Sequence, residues 1–133
     1  MFDALKRVQA LEPVDGYHDL GPGEKILPEH QKIAYELSKC MTCGCCVEAC
    51  LQYSKDNNFI GAAAMSQARL FNMHPTGKNL KKERLDTLMQ DGGISSCGNA
   101  QNCVEACPRS IPLTESIAHL GKDVSKQLWK NIF

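Results

Sequence analysis

No apolar run in the sequence approaches the ~18 residues that a membrane span needs. The opening MFDALKRVQALEP also lacks the continuous apolar stretch of a secretory signal, so a soluble chain is expected. Neither sign of charge predominates, because fifteen Lys and Arg meet fifteen Asp and Glu. No block of like charge is long enough to act as a nucleic-acid-binding arm or an acidic tail, which excludes nucleic acid as an expected partner. Convincing period-two alternation is missing too, so strands are not expected. Cysteine, by contrast, is plentiful, with eight in 133 residues. Without a secretory signal they imply a reducing compartment, where regularly spaced thiols hold metal more often than they form disulfides.

The length is that of one domain, able to bury roughly 65 to 70% of its unfolded surface. Phe2, Leu5, Val8 and Leu11 recur at near-helical spacing, and Pro13, Gly16, Gly21, Pro22 and Gly23 then break the pattern. Residues 1–27 therefore read as a helix and a loop ahead of a cluster-binding core over 28–133. Pro28 suits the first turn of a second helix with Ile33, Ala34 and Leu37 inward, running to Cys40. Further helices are expected over about Ile60–Asn72 and Lys81–Gln90, the latter stopped by Gly92 and Gly93, with the turn HPTGKN between them. Two more start near Pro112 and Lys122, separated by Gly121, with Val124, Leu128 and Ile132 on one face of the last. Phe71, Met89 and Trp129 read as packing residues.

Cys40, Cys43, Cys46 and Cys50 form C-x2-C-x2-C-x3-C, the spacing of a bacterial iron-sulfur run. The pattern returns 57 residues later as Cys97, Ala100, Cys103 and Cys107, with CVEAC identical at 46–50 and 103–107, which marks an internal duplication. Closely spaced cysteines on a tight turn point their sulfurs at one centre, while the last falls on a helical turn facing away. In two-cluster ferredoxins that fourth cysteine ligates the cluster of the other run. Crossing the runs gives Cys40, Cys43, Cys46 and Cys107 to one site, enough for 4Fe-4S. The other receives Cys97, Cys103 and Cys50 but has Ala100 where the first has Cys43. Three thiolates favour 3Fe-4S, and a 4Fe-4S cluster with one iron open to another ligand stays open as an alternative. Each cluster with its thiolates carries a net negative charge of roughly 2, so the loaded chain is acidic despite its neutral composition. Gly44 and Gly98 are expected to let backbone N–H groups of the loops face the sulfurs.

Zinc is the simplest competitor, as the core of a metal-stabilised interaction module, but zinc sites pair two separated C-x2-C knuckles. Cys45 has Asn102 at its place in the second run and is left unassigned. His18, His30, His74 and His119 show no mutual ligand spacing. Lys78, Lys81, Lys82 and Arg84 read as a solvated helix face, with docking as the minority reading. No residue is assigned a catalytic role.

CMTCGCCVEAC, the following FIGAAAMSQARLFNMHPTG and the closing CGNAQNCVEACPRSIPLTESIAHL together resemble the iron-sulfur subunit of succinate dehydrogenase or fumarate reductase. The resemblance covers nearly the whole chain. It implies an all-α, alpha-helical ferredoxin-like domain with two iron-sulfur clusters, in which Cys40, Cys43, Cys46 and Cys107 hold 4Fe-4S and Cys50, Cys97 and Cys103 hold 3Fe-4S. It further implies a relay from a flavoprotein subunit to quinone at a membrane-anchor subunit, peripheral to the cytoplasmic face of the bacterial inner membrane. A free-standing soluble two-cluster ferredoxin is the alternative. The family's plant-type 2Fe-2S domain does not precede Cys40, so that cluster is expected to be supplied elsewhere or removed. Leu51 and Gly98 depart from the Pro and His found in many members, so quinone-site residues do not carry over. The segment from Leu51 to Asn58 and the HPTG turn resemble the menaquinone-linked enzymes of Gram-positive bacteria.

Overall fold

Alanine-rich sequence at the centre of the chain sets the architecture. In a computed structural model, which describes residues 2–10, 25–74 and 77–133, seven α-helices are joined by loops and two short 3-10 turns. They are α1 (Phe2–Arg7), α2 (Pro28–Ser38), α3 (Cys45–Ala49), α4 (Gly61–Met73), α5 (Lys81–Leu88), α6 (Asn102–Ala106) and α7 (Leu113–Ile132). No strand occurs among the described residues. The expected loop at Pro13, Gly16, Gly21, Pro22 and Gly23 lies outside them, as does Leu11.

Helix α4 opens with Gly61 and three alanines, the strongest helix formers and the shortest side chains, so neighbours can close in on every side. It packs against α1, α2, α3 and α7. Its first residue must be glycine, since Gly61 has φ +86° and a Cβ there would sit 2.6 Å from Val47 Cγ1. One apolar cluster joins Leu5 and Val8 of α1 to Ile60, Met65, Leu85, Leu88 and Leu120, with Cys50 and Cys97 packed against it. A second joins Leu37, Val47, Ala62, Ala63, Ile111 and Leu113 to Cys46 and Cys103. Burying Leu37, Leu88 and Leu120 contributes about 1.5–3 kcal/mol each. Both clusters thus end at cysteines.

Three expectations are corrected. Gly121 does not divide the last helix: α7 runs unbroken for 20 residues, because one interior glycine costs only about 1 kcal/mol and Leu113, Ser116 and Leu120 anchor that face. Arg84 is not on a solvated face but fully buried, with its guanidinium over the Phe71 ring. It donates to the carbonyls of Val8, Gln9 and Gly77 and to Asn72 Oδ1, tying α1, α4 and α5 together. Trp129 is 64% exposed rather than packed in the core, and Leu128 and Ile132 also face outward.

Candidate functional site

The two cysteine runs follow the same backbone path, 57 residues apart. Thr42 and Gly44 take positive φ (+53° and +81°), and so do their counterparts Asn99 and Gln101 (+55° and +63°). Alternating handedness turns successive N–H groups toward one side, the concavity that receives anionic centres. Helices α3 and α6 then start at equivalent positions, Cys45 and Asn102. The expected role of Gly98 is corrected, since the left-handed residues are Asn99 and Gln101. Gly98 instead makes room for Gln52, whose Nε2 would lie 2.8 Å from an added Cβ.

Cys50 and Cys107 are the extended residues that leave α3 and α6, with ψ of 124° and 116°, rather than members of a helical turn. The extended step carries each out of its own run, and α3 packs on α6. Asn102 reinforces that contact by donating from Nδ2 to the Ala49 carbonyl at 3.2 Å. As a result Cys40, Cys43, Cys46 and Cys107 line one cavity, partly open to solvent. Cys50, Cys97 and Cys103 line another, with Ala100 on its wall. Each cavity thus takes cysteines from both runs. Among the described residues no three of His, Cys, Asp and Glu converge on a point as a single ion requires.

The two linings differ. Ala63, Ile111, Leu113 and Pro108 give the first an apolar wall, relieved by Arg109. Around the second, Gln52, Asn99, Gln101, Asn102 and Thr114 stand beside Phe59, Ala62 and Ile117. Burial pushes the Cys46 thiol up to about 11, aided by its neighbours Cys40 and Cys103 and opposed by backbone N–H groups of Ala63 and Val47 that bond its sulfur. Cys103 is raised for the same reason, burial, with Cys97 and Cys50 adding and the Val104 N–H opposing. The Cys43 sulfur accepts from the backbone N–H and the thiol of Cys45, which lowers Cys43 and raises Cys45. These surroundings fit an iron-sulfur cluster: thiols that need a cationic centre to release their protons, with N–H groups already aimed at the sulfurs.

Cys45 lines neither of these cavities. His119 lies 3.8 Å from Asp123, His74 accepts the Gly77 N–H at Nδ1, and His18 lies outside the described residues. The donation by Ala63, from an alanine run on α4, is not legible in the sequence because an N–H carries no residue signature. Arg109 was in view, directly after CP, but nothing in the spacing singled it out.

Residues 36–111 match the model of a family described as a 4Fe-4S dicluster domain. The chain is 55% identical over its full length to the succinate dehydrogenase iron-sulfur subunit of Bacillus subtilis, covering 53% of that protein. It is 29% identical over 88% of its length to the fumarate reductase iron-sulfur subunit of Wolinella succinogenes, covering 49% of it. To that of Escherichia coli O6:H1 it is 30% identical over 92% of its length, covering 51%. The chain thus spans about half the length of these relatives. With its two cysteine-lined cavities and these relatives, the chain belongs to the 4Fe-4S dicluster domain family.

Proposed function

We propose that the chain is the two-cluster part of the iron-sulfur subunit of a succinate:quinone oxidoreductase, with residues 28–133 as an alpha-helical ferredoxin-like core and α1 packed on it. The observation that carries this reading is the pair of cavities, each lined by cysteines from both runs, one with four thiols and one with three plus Ala100. Cys40, Cys43, Cys46 and Cys107 hold 4Fe-4S; Cys50, Cys97 and Cys103 hold 3Fe-4S, since the Ala100 methyl cannot ligate iron. When bound, such clusters supply one-electron transfer between a flavoprotein subunit and quinone at a membrane-anchor subunit.

This chain's own residues set the conditions for that transfer. The N–H groups of Ala63, Val47 and Val104 stabilise charged sulfur, and Ile111, Leu113 and Ala63 give the first site an apolar wall. Polar neighbours at the second, Gln52, Asn99 and Gln101, favour the added electron there, which supports a downstream position for the three-thiolate site. A 2Fe-2S cluster completes the route from the flavoprotein. The assembly sits peripherally at the cytoplasmic face of a bacterial membrane, and no helix among the described residues is long and apolar enough to cross one.

Electron paramagnetic resonance on anaerobically prepared protein tests the reading. One signal from oxidised 3Fe-4S and another from reduced 4Fe-4S are expected. Stoichiometric zinc with neither signal overturns it.

A further inference from the structure

The fold buries Arg69 and Arg84 and satisfies them unequally. Arg84 is fully buried and donates to three carbonyls and to Asn72 Oδ1. Arg69, on α4, is 5% exposed, and among the described residues its hydrogen bonding consists of Nη1 donating to Ser116 Oγ on α7 at 3.2 Å. Its Nε is shut off from solvent with no acceptor. No carboxylate among the described residues lies within ion-pair distance of it. Burial is the main influence on this guanidinium and lowers its pKa, while Glu115 and Asp123 oppose the effect from farther off. A charged donor buried without an acceptor is among the costliest groups a fold can hold, and an ion bound beside it is one way it is satisfied.

An open cleft of about 210 Å³ lies at this place. Arg69 is the one buried residue of its lining, with Lys32, Ile33 and Glu36 of α2 on one side and Pro112 and Glu115 on the other. None of these residues lines a cysteine cavity. The walls specify an occupant. Ser116 takes Nη1, so the guanidinium presents its Nε edge, whose parallel N–H groups match the two oxygens of a carboxylate. Lys32 adds a positive charge at the rim, and Glu36 is already bonded to Lys39 at 2.9 Å. Glu115 has no ion pair among the described residues and would repel a second negative charge on the ligand, which favours a monoanion. Ile33 and Pro112 offer an apolar wall to a hydrocarbon tail. The volume is below the ~300 Å³ at which drug-sized sites begin, so the tail is limited to a few carbons.

We propose that the cleft between α2, α4 and the start of α7 binds a short-chain monocarboxylate, its carboxylate on the Nε edge of Arg69 beside Lys32 and its tail against Ile33 and Pro112. What calls for the ligand is a donor inside the fold rather than an exposed surface, and the site is independent of which cluster each cavity holds.

Butyrate is the probe, with butyramide as its neutral counterpart and sulfate as a dianion. Titrated calorimetrically into the cluster-loaded full chain, butyrate is expected to bind at one site, at least tenfold more tightly than either. Arg69→Met should abolish the preference for butyrate over butyramide without lowering the melting temperature, because it removes a desolvated cation that has a single neutral acceptor. Glu115→Gln should tighten butyrate about threefold and Lys32→Gln should weaken it about threefold, both at exposed positions. Equal affinity for butyrate and butyramide overturns the proposal, as does a preference that survives Arg69→Met. A melting temperature lowered by Arg69→Met as far as by Arg84→Met also overturns it, since Arg69 would then be satisfied within the fold. If Arg69→Met does not fold, butyrate affinity unchanged in both Glu115→Gln and Lys32→Gln overturns the proposal by itself.

Discussion

Ala100 is the residue on which the difference between the two sites turns. It occupies the place of Cys43 on an otherwise equivalent backbone, between the left-handed residues Asn99 and Gln101, and it lines the second cavity. Ala100→Cys therefore needs no new loop geometry. It is expected to add a fourth thiolate and replace the 3Fe-4S signal by that of a second 4Fe-4S cluster. Persistence of the 3Fe-4S signal in a fully loaded variant would show that the position does not decide cluster type. Gly61 is the equivalent position for the fold. Alanine there meets both the left-handed penalty and Val47 Cγ1 at 2.6 Å, so Gly61→Ala should lower stability by about 2–4 kcal/mol in urea unfolding. A loss below about 1 kcal/mol would mean that α3 and α4 separate easily.

Among the elements, the junction of α1, α4 and α5 depends on Arg84. Its guanidinium satisfies the Val8 and Gly77 carbonyls inside the protein, and burial, its main perturbation, lowers its pKa. Arg84→Met keeps the stem but leaves those acceptors unpaired, at about 1–3 kcal/mol each. Arg84→Lys should recover only part of the loss, because an ammonium cannot span carbonyls on several elements; full recovery would assign the effect to charge alone. Arg84 also marks where sequence reasoning ended. Its place among Lys78, Lys81 and Lys82 implied solvent, and burial is decided by tertiary partners in α1 that no local pattern reveals. Helices α2 and α5 were legible because Pro28 marks the start of one and Gly92 and Gly93 the stop of the other, and α4 falls within the expected Ile60–Asn72 to within one residue. The unity of α7 was not, because Gly121 has the same local signature whether or not packing carries the helix across it. Trp129 was misplaced for a related reason: an apolar helical stripe does not say how far the neighbouring element extends. The cysteine spacing that motivates the crossed pairing was legible, while the extended backbone that carries Cys50 and Cys107 out of their own runs was not. The N–H groups that bond the sulfurs were not.

At the scale of the whole molecule, four of its helices or their flanking loops meet at the two cavities, which join cysteines 47 to 67 residues apart. Cys46 and Cys103 are themselves part of the apolar core. Under the proposed assignment, clusters held this way stabilise the fold. Removing iron with chelator under oxidising conditions should lower the melting temperature by well over 10 °C and reduce the helical signal, and readdition of iron and sulfide under reducing conditions should restore both. An apoprotein that melts with the loaded form would show that the helices pack without cluster support. The central claim, that each cluster is held by both runs, is tested most directly by electron paramagnetic resonance of Cys50→Ala and Cys107→Ala side by side. Cys50→Ala is expected to lose the 3Fe-4S signal and keep that of 4Fe-4S, and Cys107→Ala the reverse. The opposite pairing, with each substitution disturbing the cluster of its own run, would contradict the crossed arrangement.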